Sequence, residues 1–342
     1  MVNTAATVVV TNYNYDQYVI EAVQSARDQT VDCQVIVVDD GSTDRSLELL
    51  EDFVAAYPDV QLLAKENGGQ ASAMNVGWEA AVGPVVFFLD GDDLLEPDAV
   101  ERVVGQLATD PSAVRCQFRL RWIDAQGGPL EGQFPEADRQ LPAGDFRQAM
   151  TVNPDDIAWQ PTSGNAFTAA GLNQFMPIPE AGYRISADHY LSNISPLYGP
   201  VLAVEAPLGA YRVHGANADH RSDFDAERLR SILIRTAETR QHVIDHGRAL
   251  NISDMPRSVD GFRSLTTAGL RLISYRRGRS GDGQHPFAAD TKLGLVRRGV
   301  GAAFGRQDFS LAKRLAATAW VLAVAAAPAK LVPALAARGL TR

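Results

Sequence analysis

A short acidic run is the part of the chain best suited to chemistry. Asp90, Asp92 and Asp93 directly follow the apolar residues Phe87–Leu89, and Gly91 separates the first two aspartates. Ligands of open α/β sheets bind outside the carboxyl ends of the strands, which is where this run should lie. Carboxylates this close repel one another, unless a hard divalent cation is shared between them and a phosphate. The run predicts a Mg²⁺ or Mn²⁺ site; the alternative is a solvated turn with helix-capping aspartates.

Two earlier strand-like runs also end in polar residues. Thr11 and Tyr13 follow the first run, and Asp39 and Asp40 follow the second. The first turn contains no glycine and so lacks the G-x-G-x-x-G pattern, which disfavours a nicotinamide or flavin dinucleotide. Thr11 and Tyr13 could bond to and stack on a nucleobase, and Asp40 could accept from its imide or amino edge. The alternative for the aspartates is a turn that precedes a capped helix.

The elements that must position these residues alternate between strand and helix over the first hundred residues. Apolar runs and helical spacing alternate with short connections, which predicts a doubly wound, mostly parallel sheet with helices on both faces. The predicted strands are Val8–Val10, Val35–Val38, Val60–Ala64 and Val85–Leu89, and the predicted helices Asp16–Arg27, Ser46–Ala56 and Gln70–Val82.

Regularity falls after residue 107. The pattern predicts a helix over 98–107, a strand over 113–123, and a loop or flap over 129–156 with a short helix near Phe146. Strands at 162–167, 201–204 and 208–213 and a helix from Asp188 to Ile194 complete this part. We therefore predict a first domain over 1–220, made of a nucleotide-binding half (1–110) and an acceptor and catalytic half (111–220), and a helical, basic extension over 221–342.

Composition limits the possible functions. The 342 residues carry a net charge of −9, but residues 271–342 contain thirteen Lys or Arg against three Asp, a local +10 that leaves −19 for the rest. An acidic body disfavours nucleic-acid binding, whereas a basic, Ala/Leu/Val-rich tail suits an anionic membrane surface, a core or a partner. Its uncharged stretch, 315–329, is shorter than the roughly 20 residues that span a bilayer.

Two further features predict the compartment. Cys33 and Cys116 form no disulfide framework or zinc-ligand spacing, which favours a reducing environment. The first residues have no basic region ahead of an apolar one and are predicted to enter the first strand rather than form a signal peptide. We expect a cytoplasmic protein, with peripheral attachment to the inner face of the cell membrane as the alternative to a freely dissolved one.

The combined motifs resemble the family-two glycosyltransferases of the GT-A fold. The resemblance is strong over residues 5–110 and weaker to about 218. The residues that carry it are Thr11-Asn12-Tyr13-Asn14, Val38 to Asp44, Asn67-Gly68-Gly69-Gln70-Ala71 with Asn75 and Gly77, Phe88 to Asp93, Thr162 to Asn165, Asp188, and Tyr211-Arg212-Val213-His214.

The resemblance implies a role for each matching residue. Thr11, Tyr13 and Asp40 match positions that hold the base of a nucleoside-diphosphate sugar, and Asp90 and Asp92 match the D-x-D pair, near ribose and on the metal respectively. Asp188 matches the general base, although the acidic pair common at that site is here Ala187-Asp188. The resemblance also places His214 near the metal or diphosphate and Asn67, Gln70 and Asn75 near the donor; helix capping and loop pinning are the alternative for these three.

The implied reaction is an inverting transfer from the nucleotide sugar to a glycan or lipid-linked acceptor, in cell-surface polysaccharide or glycolipid synthesis. Two other functions match part of the sequence. A haloacid dehalogenase phosphatase also ends a strand in D-x-D, but it needs Thr or Val where Asp93 stands. A catalytically inert nucleotide- or glycan-binding scaffold of the same fold would have no need for Asp188 opposite the metal site.

Overall fold

The computed structural model describes residues 4–215, 226–305, 309–332 and 335. The chain divides into two compact units. The first comprises Met1–Arg147 and Ala158–His220, and the second Gln148–Ile157 and Arg221–Arg342. The predicted domain end near residue 220 and the last residues of the tail lie outside the described ranges.

A nine-stranded mixed sheet forms the centre of the first unit. Its order is β3-β2-β1-β4-β8-β6-β9-β5, with β7 paired to β6. The strands are β1 (Ala6–Asn12), β2 (Cys33–Asp39), β3 (Val60–Ala64), β4 (Val85–Asp90), β5 (Leu94–Leu95), β6 (Arg115–Ile123), β7 (Pro129–Phe134), β8 (Asn165–Thr168) and β9 (Val201–Arg212). Strands β1 to β4 are mutually parallel, whereas β8 is antiparallel to both β4 and β6.

The α-helices up to residue 194 are α1 (Val19–Arg27), α2 (Ser46–Ala56), α3 (Gln70–Glu79), α4 (Ala99–Leu107), the short α5 (Arg147–Met150) and α6 (Ala169–Leu172), and α7 (Asp188–Ile194). Helices α1 to α3 connect the parallel strands β1 to β4, and α4 to α7 lie later in the chain. The first strand is buried along its whole length, as expected for a strand covered on both faces. Gly77 of α3 permits this close packing, because a β-carbon there would lie 2.2 Å from Val9 Cγ1.

The order of the strands reverses beside β1, whose neighbours are β2 and β4. Thr11 is in register with Asp90 on one side, and Asn12 with Asp39 on the other. The polar ends of three strands therefore meet at one edge of the sheet, which is where open α/β sheets bind ligands.

The structure differs from the predicted elements at several places in the first unit. The two strands predicted over 201–213 form one strand, β9, whose pairing with β6 shifts register around Arg119. The predicted loop over 129–156 contains β7, which pairs with β6. The helix expected from Asp16 begins at Val19, and the strand expected at 162 begins at Asn165 after a short 3-10 turn.

The second unit is helical. Its main helices are α8 (Ala226–Ala249), α9 (Leu265–Gly278), α10 (Lys292–Gly305) and α11 (Leu311–Ala326). Leucines from α8, α9 and α10 and valines from α11 form its apolar core. Residues 148–157 are tied to these helices because Asp155 accepts hydrogen bonds from Arg240 (3.0 Å) and Thr267 (2.8 Å). Within the described ranges, every helix is too short or too polar to cross a bilayer.

Candidate functional site

A pocket of about 630 Å³ lies at the sheet edge where the strand order reverses. It brings together eight of the residues predicted from the sequence. These are Thr11, Tyr13, Asp40, Asn67, Gln70, Asp90, Asp92 and Asp188. They come from the ends of β1, β2 and β4, from the start of α3 and from the start of α7. Tyr13 remains 45% exposed, so its ring is available to stack on a ligand.

The acidic run is buried enough to disfavour full ionisation. Burial, the charge of Asp92 and then that of Asp188 raise the pKa of Asp90 to about 8. Burial and the charges of Asp92 and Asp90 likewise raise the pKa of Asp93. At neutral pH, the ligand-free cluster therefore favours the neutral form of Asp90. A bound cation would reverse this preference, because it attracts the ionised carboxylates.

Asp92 is held between two aromatic side chains. Its Oδ2 lies 2.9 Å from Nε2 of His214, and it also bonds to the phenol of Tyr15. Burial, followed by the charges of the three aspartates, raises the pKa of Tyr15, so the phenol keeps its proton. The imidazole of His214 packs against the rings of Tyr15 and Tyr18, at 5.7 Å and 4.9 Å between centroids. These contacts fix the direction of the Asp92 carboxylate.

Asp40 is already engaged by the loop before α3. Its Oδ1 accepts from Lys65 Nζ at 2.7 Å and from the Gly68 amide at 2.9 Å, and its Oδ2 accepts from the Gly69 amide at 2.6 Å. Each carboxylate oxygen can accept about two hydrogen bonds. One acceptor position, on Oδ2, therefore remains for a ligand.

Gln70 connects the acidic run to Asp188. Its Nε2 donates to Asp90 Oδ1 at 2.8 Å and to the Thr162 hydroxyl at 3.2 Å. Its Oε1 accepts from the backbone amide of Ala187 at 2.9 Å, one residue before Asp188. The positions of Asp90 and Asp188 are therefore coupled through one side chain.

The segment 184–186 forms a further part of the lining. Arg184 donates to Asn67 Oδ1 at 2.6 Å and to the Gly68 carbonyl at 3.0 Å. Asn67 therefore helps to hold the loop before α3 in place, and it also lines the pocket. Gly69 has a φ of +91°, and a β-carbon there would lie 2.6 Å from the Arg184 Cα. Only glycine lets the loop approach this closely.

The residues present fit a divalent cation. Asp92 and His214 converge, and the carboxylate suits Mg²⁺ or Mn²⁺, while the imidazole offers one nitrogen ligand beside it. Within the described part of the chain, no cluster of three or more His, Cys, Asp or Glu side chains is arranged to hold a metal alone. A cation here would thus take further ligands from water and from a bound phosphate, as Mg²⁺ commonly does in phosphate sites.

Asn75 makes its hydrogen bonds away from the pocket. It does not line the pocket; its Nδ2 donates to the carbonyl of Ile178 at 2.9 Å, and its Oδ1 accepts from the amide of the same residue at 2.8 Å. The side chain is buried and its bonding capacity serves to pin this loop. These contacts favour the loop-pinning alternative for Asn75 over contact with the donor.

Three residues at the site had been given no role from the sequence. Tyr15 and Arg184 line the pocket, and Arg212 supports it from behind by donating to the carbonyl of Asp92 at 2.8 Å. Tyr15 lies in the polar turn after β1, and Arg212 lies two residues before His214. Both are therefore close in sequence to predicted site residues, which could have indicated them. Arg184 has no comparable signal, because its segment follows no periodic pattern.

Comparison with known proteins gives a consistent family. Residues 7–157 match the model of glycosyl transferase family 2. An uncharacterized glycosyltransferase from Nostoc sp. is 33% identical over 214 residues, which cover 61% of this chain and 65% of that protein. Chondroitin synthase and hyaluronan synthase from Pasteurella multocida are each 33% identical over 181 residues, but the matched part is half of this chain and 18% of either synthase. The chain thus spans less than two-thirds of each of these relatives.

Solved structures agree on the fold. TarS 1–349 of S. aureus, solved in complex with UDP-GlcNAc, aligns with a TM-score of 0.52 at 15% identity, covering 82% of this chain and 93% of TarS 1–349. The longer TarS structure aligns with the same TM-score at 17% identity, covering 99% of this chain and 53% of the longer one. Residues 7–157 therefore resemble glycosyl transferase family 2, and the sheet order together with the solved structures shows that the first unit has the GT-A fold.

Proposed function

We propose that the first unit transfers a sugar from a nucleoside-diphosphate sugar to an acceptor hydroxyl, with inversion at the anomeric carbon. The observation that carries the proposal is that Asp90, Asp92 and Asp188 line the same pocket as Thr11, Tyr13 and Asp40. The relatives named chondroitin and hyaluronan synthase support a role in polysaccharide synthesis.

The base of the donor is taken to be an imide such as uracil or thymine. Asp40 has one acceptor position left after its bonds to Lys65, Gly68 and Gly69, which suits the single N–H of an imide. Guanine would present two adjacent N–H groups to this carboxylate and leave one poorly paired. The half-exposed ring of Tyr13 supplies a stacking surface, and Thr11 a hydroxyl.

Asp92 and His214 would hold Mg²⁺ or Mn²⁺ together with the donor diphosphate. When bound, such a cation neutralises the negative charge that develops on the leaving phosphate. Tyr15 restrains the Asp92 carboxylate, whereas Nε2 of His214, which lies 2.9 Å from Asp92 Oδ2, would turn from that oxygen to the cation when the donor binds. Asp90, held by Gln70, is proposed to bond to the ribose.

Asp188 is proposed as the general base. It accepts the proton of the acceptor hydroxyl while the acceptor oxygen forms its bond to the anomeric carbon and the bond to the diphosphate breaks. A single displacement inverts the configuration, and a positioned general base typically contributes about 10²- to 10⁴-fold to the rate. Gln70 fixes the start of α7 through Ala187 and so positions Asp188.

The acceptor is proposed to be a glycan or a lipid-linked sugar at a membrane surface. In this proposal, residues 1–110 bind the donor, and residues 111–220 bind the acceptor and carry out catalysis. The helical part contacts the membrane through residues 271–342. Helices α10 and α11 contain no Asp or Glu and expose apolar side chains, including Leu293, Phe304 and Leu311. Such a surface suits anionic lipids on the cytoplasmic face.

The experiment is a donor panel with the purified full chain. UDP-, dTDP- and GDP-sugars are incubated with Mn²⁺ and oligosaccharide or polyprenyl-phosphate-linked acceptors, and nucleotide release and sugar transfer are measured. We expect transfer that EDTA abolishes and Mn²⁺ restores, and the first-formed product should have the inverted anomer by NMR. Retention would remove Asp188 from its role. Inertness towards every donor would favour a binding scaffold, and hydrolysis of simple phosphoesters would favour a phosphatase.

A further inference from the structure

A buried arginine lies away from the donor pocket. Arg115 is the first residue of β6, and it is 0% exposed. Its Nη1 donates to the backbone carbonyl of Ser192 at 3.2 Å. Its Nε and Nη2 are buried and have no hydrogen-bond partner anywhere in the described ranges. Two of the three guanidinium nitrogens thus direct their hydrogens at nothing that accepts them.

No carboxylate in the described part of the chain balances the charge of Arg115. Burial lowers the pKa of the guanidinium to about 9, which leaves it protonated at neutral pH. The titratable group that acts on it is Cys116, and burial raises the pKa of that thiol to about 12, so the thiol is neutral. A buried charge without a partner is costly, and proteins normally pair it.

The groups around the guanidinium supply further donors. The ring of Trp159 stacks over it at 4.2 Å, and Phe146 packs edge-on against Trp159 at 5.1 Å. Stacking occupies a face of the guanidinium, whereas its N–H groups point outward in its plane. The indole N–H of Trp159 and the hydroxyl of Ser192 are themselves buried and unpartnered among the described residues.

This cluster is separate from the donor pocket. Arg115 is in register with Phe167, which is in register with Val86 near the start of β4. Asp90 ends the same strand four residues after Val86. At about 3.3 Å per residue, Arg115 and Asp90 are therefore separated by about 13 Å along the direction of the strands. None of the three residues that supply the unpartnered donors lines the pocket.

We propose that Arg115, Trp159 and Ser192 form an internal binding site for a small monovalent anion of the chloride type. One negative charge balances one guanidinium, and a monatomic anion accepts from several donors without requiring directed lone pairs. Sulfate or phosphate would bring more negative charge than the site offsets. The anion joins the first residue of β6 to the segment carrying Trp159, and its role is structural.

The test is thermal unfolding of the full chain at constant ionic strength in sodium chloride, sodium bromide and sodium gluconate, since gluconate is too large for an enclosed site. Wild type should unfold at least about 2 °C higher in chloride and bromide than in gluconate, with a saturable concentration dependence. Arg115→Met should lose this dependence. Arg102→Met, which removes an exposed arginine paired with Asp98, should retain it.

A crystal soaked in bromide gives an independent answer even if the Arg115 variant fails to fold. We expect an anomalous peak within hydrogen-bonding distance of Arg115 Nε or Nη2. Water alone at this position, with equal unfolding midpoints in chloride and gluconate, would overturn the proposal. Halide stabilisation that persists in Arg115→Met would overturn it too, because the anion would then bind elsewhere. Neither readout depends on sugar transfer.

Discussion

The guanidinium of Arg212 holds the backbone carbonyl of Asp92 at 2.8 Å, directly behind the proposed cation site. The same residue donates its backbone amide to Asp93 Oδ1 at 2.9 Å. Arg212 is 1% exposed, and its charge is paired with Glu21 of α1 at 2.7 Å. The acidic run is therefore positioned by a buried cation whose partner lies on a helix outside the pocket.

Glu21→Gln should weaken cation binding and catalysis, although Glu21 does not line the pocket. The variant removes the charge that balances Arg212, so we expect a fall in kcat/KM of about fivefold, equivalent to about 1 kcal/mol. The affinity for Mn²⁺ with UDP should fall in parallel, by isothermal titration. Because Glu21 is 57% exposed, the free energy of unfolding should fall by no more than about 1 kcal/mol.

Glu48→Gln is the matched control, since Glu48 is an exposed helical glutamate whose partner, Arg45, is also exposed. It should leave the affinity and kcat/KM unchanged. Equal effects of the two variants on Mn²⁺ binding would show that Glu21 acts only through overall charge.

Gln70→Ala should uncouple Asp90 from Asp188. The truncation removes the donor to Asp90 and leaves the amide of Ala187 without its side-chain acceptor. We expect kcat/KM for transfer to fall by about 10- to 100-fold, the equivalent of about 1.4–2.7 kcal/mol. Gln61→Ala, at an exposed position on β3, is the control. Full activity in Gln70→Ala would exclude a positioning role.

The ends of the parallel strands could be predicted because buried parallel strands are nearly continuous apolar runs. The polar residues that follow these runs mark the edge of the sheet where the pocket lies. Thr11, Asp40 and Asp90 were expected together on this basis, and they line one pocket. For Asn75 the sequence left donor contact and loop pinning both open, because a helical asparagine gives no sign of which backbone group its amide will bind. Arg184 and Arg212 were given no role because they bond to residues 87 to 191 positions away along the chain, as in the Glu21–Arg212 pair.

The hydrogen bonds of Asp40 predict a preference among nucleotides. UDP and dTDP should bind at least about tenfold more tightly than CDP or GDP, equivalent to about 1.4 kcal/mol, by titration in Mn²⁺. Lys65→Met frees a lone pair on Oδ1, so the ratio of GDP to UDP affinity should rise in this variant. Wild-type protein that binds GDP as tightly as UDP would contradict the assignment of the base.

Asp188→Asn should separate catalysis from donor binding. Asparagine keeps the shape of the side chain but cannot accept a proton at neutral pH, so kcat should fall about 10²- to 10⁴-fold. The dissociation constant of UDP with Mn²⁺ should stay within about twofold, because the base acts on the acceptor. Asp92→Asn is the informative comparison, and it should lose cation-dependent UDP binding. Substantial transfer by Asp188→Asn would remove the residue from the role of base.

The exposed apolar face of α11 predicts lipid binding. Leu311 and Leu315, 67% and 53% exposed, lie one helical turn apart, and Lys313 lies between them in sequence. Full burial of a leucine contributes about 1.5–3 kcal/mol, so replacing both by Gln should weaken binding to lipid more than tenfold. Co-sedimentation with vesicles of phosphatidylcholine, with and without anionic phosphatidylglycerol, measures this change.

The control replaces two exposed apolar residues of the first unit, Val82 and Leu130, by Gln. This variant should bind anionic vesicles like wild type, and higher salt should weaken both, since basic residues contribute part of the attraction. If both double variants bind vesicles equally, the face of α11 does not contact lipid. If the Leu311 and Leu315 variant instead converts an oligomer to a monomer in gel filtration, this face joins two copies of the chain, because burial of the same leucines against a second copy would give the same loss of apolar contact.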